Sequence, residues 1–167
     1  MSAPLILTVS INQDASDYFN LLRQKHFPPS RNYIGAHLTM FHALPNEDNV
    51  VNLMETISAK QKTFPLVITD IVSIGKGVAY KIESPELMQL HKFLQNKWKP
   101  FLPPQDQQKL WPHITVQNKV LPQQAKELLL ELKESFTPFE VTAKGLQLWE
   151  YLNGPWKLMK EYKFLLS

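Results

Sequence analysis

Two short segments of the sequence carry a histidine and a threonine at alternate positions. His37 and Thr39 lie in one segment, and His113 and Thr115 lie in the other. Because successive side chains of a strand point to opposite faces, each imidazole would share a face with its hydroxyl, and the aliphatic residues between and after them would share the other face. Each segment, read as a strand, therefore has one face suited to a core and one suited to a cleft.

Two imidazoles and two hydroxyls that meet in one cleft would suit phosphodiester chemistry. A neutral histidine takes a proton from the attacking oxygen and a protonated one gives a proton to the leaving oxygen; an unperturbed pKa of about 6.5 lets both forms coexist. Threonine hydroxyls can donate to phosphate oxygens as charge builds there. We predict that His37 and His113 are catalytic and that Thr39 and Thr115 bind phosphate. The sequence does not say which histidine is the base.

Two other interpretations of these segments stay open. A single His-x-Thr is weak evidence, since short motifs recur by chance, so the chain could be a structural domain with two coincidental matches. A metal site is disfavoured, because neither segment has an acidic residue or second histidine at ligand spacing, and strict alternation puts His42 on the strand face opposite His37. We expect no metal and no cofactor.

The surroundings of the two segments repeat as well. Each is followed by Leu-Pro, a helical pattern and then a Pro-containing β-rich stretch, and 76 residues separate His37 from His113. This order predicts one domain over 1–167 made of two interleaved, pseudo-symmetric lobes, each with one His-x-Thr motif.

Periodicity along the chain supplies the elements that would position these residues. Apolar alternation and turn signals predict strands over 5–11, 34–43, 64–74, 76–83, 113–118, 139–151 and 156–166. Helical spacing predicts helices from 14 or 16 to 26, after the turn at 45–48, over 84–98 with Ser84 as N-cap, and over 123–134. The Pro-rich segment 99–112 is predicted to be a loop and is a candidate lid.

Composition narrows the class of protein. The chain has 167 residues, enough for one compact domain, and no cysteine, which excludes thiol nucleophiles, disulfides and zinc-thiolate sites. The net charge of +3 comes from scattered lysines, and there are only two arginines, so a dense nucleic-acid-binding stripe is not expected. The first residues lack a signal-peptide pattern, which predicts a cytoplasmic protein with no membrane association.

Several residues near the motifs are candidates for substrate contact. Arg31 and Tyr33 precede the first motif, Trp111 precedes the second, and Tyr151 and Trp156 flank an Asn-Gly-Pro turn. The arginine could bind phosphate and the rings could stack on a base. Solvated surface for Arg31 and core packing for the rings are the alternatives.

The two motifs resemble those of the 2H phosphoesterase superfamily, particularly its bacterial 2′-5′ RNA ligase-like branch. The resemblance implies an α+β, bilobal, pseudo-twofold fold with two antiparallel sheets flanking a central cleft and helices outside. Members act without metal on RNA 2′,3′-cyclic phosphate ends, cyclic ADP-ribose phosphate or 2′-5′ linkages. Gln117 and Asn118 stand where many relatives carry a basic residue, so the sequence does not select among these substrates.

The sequence therefore predicts an enzyme, a cyclic phosphodiesterase or 2′-5′ RNA ligase-like protein, that acts as a monomer on a nucleotide or an RNA end. The alternative is a nucleotide- or RNA-binding module that keeps the cleft but has little turnover. Two titratable imidazoles favour the enzyme, since binding alone does not need them.

Overall fold

The computed structural model describes residues 3–166, and within them four α-helices and seven strands alternate. In chain order the elements are β1 (Leu5–Ile11), α1 (Gln13–His26), β2 (Leu38–Leu44), α2 (Asp48–Ser58), β3 (Phe64–Ser73), β4 (Val78–Glu83), α3 (Pro85–Trp98), β5 (His113–Gln117), α4 (Pro122–Glu134), β6 (Phe139–Tyr151) and β7 (Trp156–Lys163). The existence and type of every predicted helix and strand agree with this order, and the differences lie at element ends.

All strand pairs are antiparallel, and the order across the sheet is β2-β1-β6-β3-β4-β5, with β7 paired to β6. Exchanging the first β-α-β-α-β unit with the second reverses this order and keeps the same neighbours among β1–β6. The two-lobe organisation stays a prediction. The α+β class is as predicted. The two expected sheets are hydrogen-bonded into one, because the long strand β6 pairs with β1 along one side and with β3 and β7 along the other.

The two ends of this sheet lie close together. β2 and β5 terminate the strand order, share no ladder, and yet are in contact. Twist accumulates across a sheet of this width, and here the sheet curls until its edges meet. Because β2 follows the first motif histidine and β5 begins at the second, the curl brings the two motifs to one place.

In helix α3 the local sequence determines both where the helix begins and which face packs into the core. The Ser84 hydroxyl accepts a hydrogen bond from the backbone N–H of Leu87 at 3.2 Å, and Pro85 occupies the first turn, so the predicted cap is confirmed. The buried face of the helix then carries four apolar side chains at helical spacing. They are Leu87, Leu90, Leu94 and Trp98.

The predicted strand at 34–43 begins only at Leu38, so His37 precedes it. The reason is a competing hydrogen bond: the backbone N–H of Ala36 donates to the Asn20 side-chain oxygen at 2.6 Å. The segment before β2 is therefore attached to α1 and does not extend the ladder with β1. His37 is the last residue before regular pairing starts.

A β-bulge in β2 changes the direction of His42. Thr8 pairs with Thr39 while Leu7 pairs with Phe41, so one extra residue lies between them, and both Met40 and Phe41 are buried. After two consecutive core residues the alternation is reset, and His42 leaves the core on the side of Thr39. The expectation that His42 points away from the motif face was wrong, because strict alternation does not hold through a bulge.

The loop before β5 is attached to β2 through a buried carboxylate. Asp106, in the short 3₁₀ turn Pro104–Gln107, accepts backbone hydrogen bonds from His42 and Ala43 at 2.9–3.0 Å and lies 3.1 Å from the His42 ring nitrogen Nδ1. Its side chain is only 1% exposed. Opening the predicted lid at this point would leave two strand donors without their acceptor, which makes such a motion unfavourable.

We predict that Asp106→Asn destabilises the fold by about 3 kcal/mol in urea unfolding at pH 7, since it removes a buried charge from its donors. Burial alone would raise the pKa of Asp106, but hydrogen bonds from His42 and Ala43 outweigh it and hold the pKa below its usual range. The difference between wild type and variant should therefore persist above pH about 4 and shrink below it. The exposed Asp48→Asn serves as control; equal stabilities of both variants would contradict the prediction.

Candidate active site

Helix α1 holds both motif segments. Asn20 accepts the Ala36 N–H, and one turn later the Arg23 guanidinium nitrogen Nη1 donates to the backbone carbonyl of Thr115 at 3.0 Å. The approach to Asn20 requires glycine at position 35, because a Cβ on Gly35 would lie 2.8 Å from the Asn20 oxygen. One face of one helix thus fixes the backbone beside each histidine.

The two histidines make the same backbone hydrogen bond. His37 Nδ1 lies 2.9 Å from the carbonyl oxygen of Gly35, and His113 Nδ1 lies 2.7 Å from that of Trp111. A carbonyl oxygen can only accept, so Nδ1 carries the hydrogen in both rings. The proton-accepting nitrogen of each neutral imidazole is therefore Nε2, and each ring is held at the orientation that its carbonyl partner sets.

Both imidazoles lie in an environment that disfavours their charged forms. Burial lowers the pKa of His37 most, and the charges of Arg23, His113 and His42 act in the same direction. Together, and against the hydrogen bond to the Gly35 carbonyl, they bring the pKa of His37 to about 4. Burial also lowers the pKa of His113, as does charge on His42, against the hydrogen bond to the Trp111 carbonyl. Because the charge on His113 lowers the pKa of His37, and the charge on His42 lowers the pKa of both, the two histidines share one electrostatic site, and both are neutral near pH 7.

A tryptophan lies against each motif histidine. The Trp156 ring is 4.7 Å from the His37 ring between centroids, and the Trp111 ring is stacked on His113 at 4.1 Å. The Trp149 ring packs against Trp156, with 6.0 Å between the ring centroids. Trp111 is 44% exposed, so it covers one side of the His113 ring while leaving its own outer face to solvent.

A cavity of about 340 Å³ joins most of the predicted site residues. Its lining includes His37 and Thr115 from the two motifs together with four of the five predicted substrate-contacting residues, namely Arg31, Tyr33, Tyr151 and Trp156. The described residues that line this cavity do not include three of the predicted site residues, namely Thr39, His113 and Trp111. Thr39 is half-buried on β2 opposite Thr8.

Three residues of the site were not among the sequence predictions. Arg23 and Lys119 line the cavity, and His42 lies close enough for its charge to lower the pKa of both motif histidines. Arg23 follows Ala15 and Phe19 at intervals of four on the buried face of α1, so its helical spacing was a signal that could have found it. The position of His42 depends on the bulge in β2, and that of Lys119 depends on the turn after β5. Neither feature can be read from the spacing of apolar residues in the sequence.

Within residues 3–166, no group of three or more histidine or acidic side chains is arranged to hold a metal ion. Among the helices of the same residues, none is both long and apolar enough to cross a membrane.

The chain matches a family model described as the 2′-5′ RNA ligase superfamily, over residues 12–155. The chain belongs to this superfamily. The match spans both motifs and all four helices, and it confirms the resemblance found in the sequence. No curated protein sequence matched the chain.

Solved structures share the fold of this superfamily member at low sequence identity. TT0787 of Thermus thermophilus has a TM-score of 0.67 at 14% identity, covering 96% of this chain and 97% of that one. A protein titled phosphoesterase has a TM-score of 0.64 at 16% identity, with 99% of each chain covered. E. coli LigT complexed with 3′-AMP has a TM-score of 0.61 at 16% identity, again with 99% of each chain covered. The predicted 2H phosphoesterase fold is confirmed.

We predict that NMR titration will find both neutral imidazoles with hydrogen on Nδ1, and His37 titrating near pH 4, with His113 below its ordinary 6.5. Because unfolded histidines bind protons below about pH 6.5 and folded His37 does not, stability should fall as the pH drops from there towards 4. Signals are assigned with His37→Gln and His113→Gln. A His37 titration at 6.5 or above would contradict the electrostatic description.

Proposed function

We propose that this 2′-5′ RNA ligase superfamily member is a phosphoesterase that acts without metal on nucleotide or RNA 2′,3′-cyclic phosphates or on 2′-5′ phosphodiester linkages. Superfamily membership and the phosphoesterase neighbours support a 2H phosphoesterase-type function. The observation that carries the finer proposal is the pair of imidazoles at the meeting edges of the sheet, each held through Nδ1 so that Nε2 is its reactive atom.

His37 is the better candidate for the general base. Its pKa of about 4 keeps it neutral at physiological pH, so Nε2 can accept a proton from the attacking water or hydroxyl. In hydrolysis of a cyclic phosphate, the water oxygen bonds to phosphorus, a water proton passes to His37, and the bond between phosphorus and one ribose oxygen breaks. His113 supplies the proton that the leaving ribose oxygen takes up.

Phosphate oxygens would be held by the motif hydroxyls. Thr115 lines the cavity beside His37, and Thr39 lies on the other edge strand. Each hydroxyl can donate to a non-bridging oxygen, where negative charge grows in the transition state. A bound phosphate would also favour the protonated form of His113, which restores the acid that burial disfavours.

The rings around the motifs suit a nucleotide. Trp156, Tyr151 and Tyr33 line the cavity next to His37, and the exposed face of Trp111 lies beside His113. Base stacking on such faces is typical of single-stranded nucleic-acid sites. E. coli LigT, which shares this fold, has been solved with 3′-AMP and with ATP, and we extend nucleotide binding to this chain as part of the proposal.

A nucleotide- or RNA-binding module with little turnover is the second candidate. One observation favours it: the pKa values of both His37 and His113 are lowered, so neither stores a proton for the leaving group in the unliganded protein. Such a module needs the cavity and the aromatic rings, but it does not need proton transfer by His37 or by His113.

We predict that the protein hydrolyses adenosine 2′,3′-cyclic phosphate, an RNA with a cyclic phosphate end or a 2′-5′-linked dinucleotide, with EDTA present. His37→Ala and His113→Ala should each lower kcat by roughly 10²- to 10⁴-fold, because each removes a proton-transfer group. Thr39→Val and Thr115→Val should lower it by roughly 10²-fold. Ring opening or cleavage of the linkage, and the position of the phosphate on the product, are followed by chromatography.

Matched controls are His26→Ala and Thr56→Val, which alter a histidine at the end of α1 and a threonine on α2 and should leave turnover unchanged. Nucleotide binding that survives in both motif-histidine variants, with a wild type that turns over none of the three substrates, would establish the binding module. A wild type that neither binds nor cleaves any of them would overturn the proposed function.

A further inference from the structure

Arg23 is a buried cation without a paired carboxylate among residues 3–166. It is 5% exposed; its Nε donates to Asn32 Oδ1 at 2.7 Å, its Nη1 donates to the Thr115 carbonyl, and its guanidinium carbon lies 3.9 Å from the Phe27 ring centre. These partners are neutral, and no carboxylate in the described part of the chain pairs with it. Burial lowers the pKa of Arg23 to about 10, and it remains charged at pH 7.

An unpaired buried charge is unfavourable unless an anion can reach it, and the cavity at Arg23 offers that access. Two more cations, Arg31 and Lys119, line the same cavity, and no aspartate or glutamate is among the described residues that line it. Three positive charges around about 340 Å³ of largely solvent-accessible space form a site of strongly positive potential. The cavity therefore favours an anion over any neutral ligand.

Lys119 is held at the cavity by an unusual backbone conformation. Its φ is +61°, in the left-handed region that glycine or asparagine adopts most readily, and its N–H donates to the Asn118 side-chain oxygen at 2.8 Å. Glycine would relieve this conformation but would remove the ammonium group. The turn after β5 thus keeps a charged side chain at the rim despite its conformational cost.

This positive cavity lies beside the phosphodiester that the motif histidines would share, but it is not the same place. The reacting phosphorus must lie within reach of both His37 and His113, and His113 and Thr39 are outside the cavity. His37 and Thr115 line the cavity together with Arg23, Arg31 and Lys119, whereas His113 does not line it. An anion bound at these cations is a second group on the same ligand.

We propose that the cavity of Arg23, Arg31 and Lys119 binds a second phosphate group of the substrate, carried on the 5′ side of the nucleotide whose 2′,3′-phosphate reacts. The inference rests on the proposed function and deepens it, because it favours RNA ends and 5′-phosphorylated nucleotides over simple nucleoside cyclic phosphates. Tyr33 and Tyr151 at the rim supply faces for the intervening ribose or base. The second phosphate supplies the negative charge with which Arg23 is not otherwise paired.

Binding of non-reacting ligands tests the proposal without relying on turnover. Calorimetry compares adenosine 3′-monophosphate with adenosine 3′,5′-bisphosphate, which adds a phosphate monoester, and with the dinucleotide ApAp, which adds a diester. We expect at least one added phosphate to tighten binding by about tenfold, and the gain to shrink with salt. If only ApAp binds more tightly than adenosine 3′-monophosphate, the natural group is an internal phosphodiester. If both larger ligands bind more tightly, the cavity accepts a 5′-phosphate monoester as well as a diester.

Lys119→Met and Arg31→Met should each reduce that gain about threefold or more, whereas the exposed Lys126→Met on α4 should leave it unchanged. These variants are preferred to Arg23→Met, which would also remove the hydrogen bond to Thr115. Equal affinities for all three ligands, or a gain that neither variant alters, would overturn the second-phosphate site while leaving the two-histidine function intact. Failure of every ligand to bind would overturn both.

Discussion

The contact between the two edge strands, fastened by helix α1, is the constraint on which the rest of the structure depends. β2 and β5 share no hydrogen-bonded ladder, so their approach rests on the curl of the sheet and on side chains that bridge it. Asn20 and Arg23, one turn apart on α1, hold the backbone on either side of that junction. Helix α1 comes from the first half of the chain and β5 from the second, so the placement of the second motif depends on a contact with the first half.

The same junction explains the electrostatics of the site. Bringing His37, His113 and Arg23 into a half-buried region disfavours every added positive charge, which is why the pKa of each is lowered. A positive, partly desolvated region is also what attracts a phosphate. Phosphate binding would counter the burial and the like-charge repulsion that keep the imidazoles neutral, so proton loading and phosphate binding are coupled in this arrangement.

Rigidity on the second-motif side comes from the buried carboxylate of Asp106. It ties the loop that leads to Trp111 and His113 to the strand that follows His37, through His42 and Ala43. A second register shift follows the bulge, between the Leu7–Phe41 and Leu5–Leu44 pairs, and the backbone donors of His42 and Ala43 to Asp106 lie within it. A local defect in pairing thus links the two motifs a second time, on the side of the junction away from α1.

The sequence by itself determined the order of elements, the cap of α3, the two His-x-Thr segments and the superfamily, because these depend on local spacing and residue type. Four of the five predicted contact residues also line the cavity, since they precede the first motif or flank the last turn. Only the tertiary structure decided that His37 precedes its strand, that His42 faces the site and that Arg23 donates to the Thr115 carbonyl at the cavity. Each of these depends on a long-range contact: the segment before β2 with Asn20, His42 with Asp106, and Arg23 with Thr115. Neither alternation nor helical spacing encodes which distant partner a residue will meet.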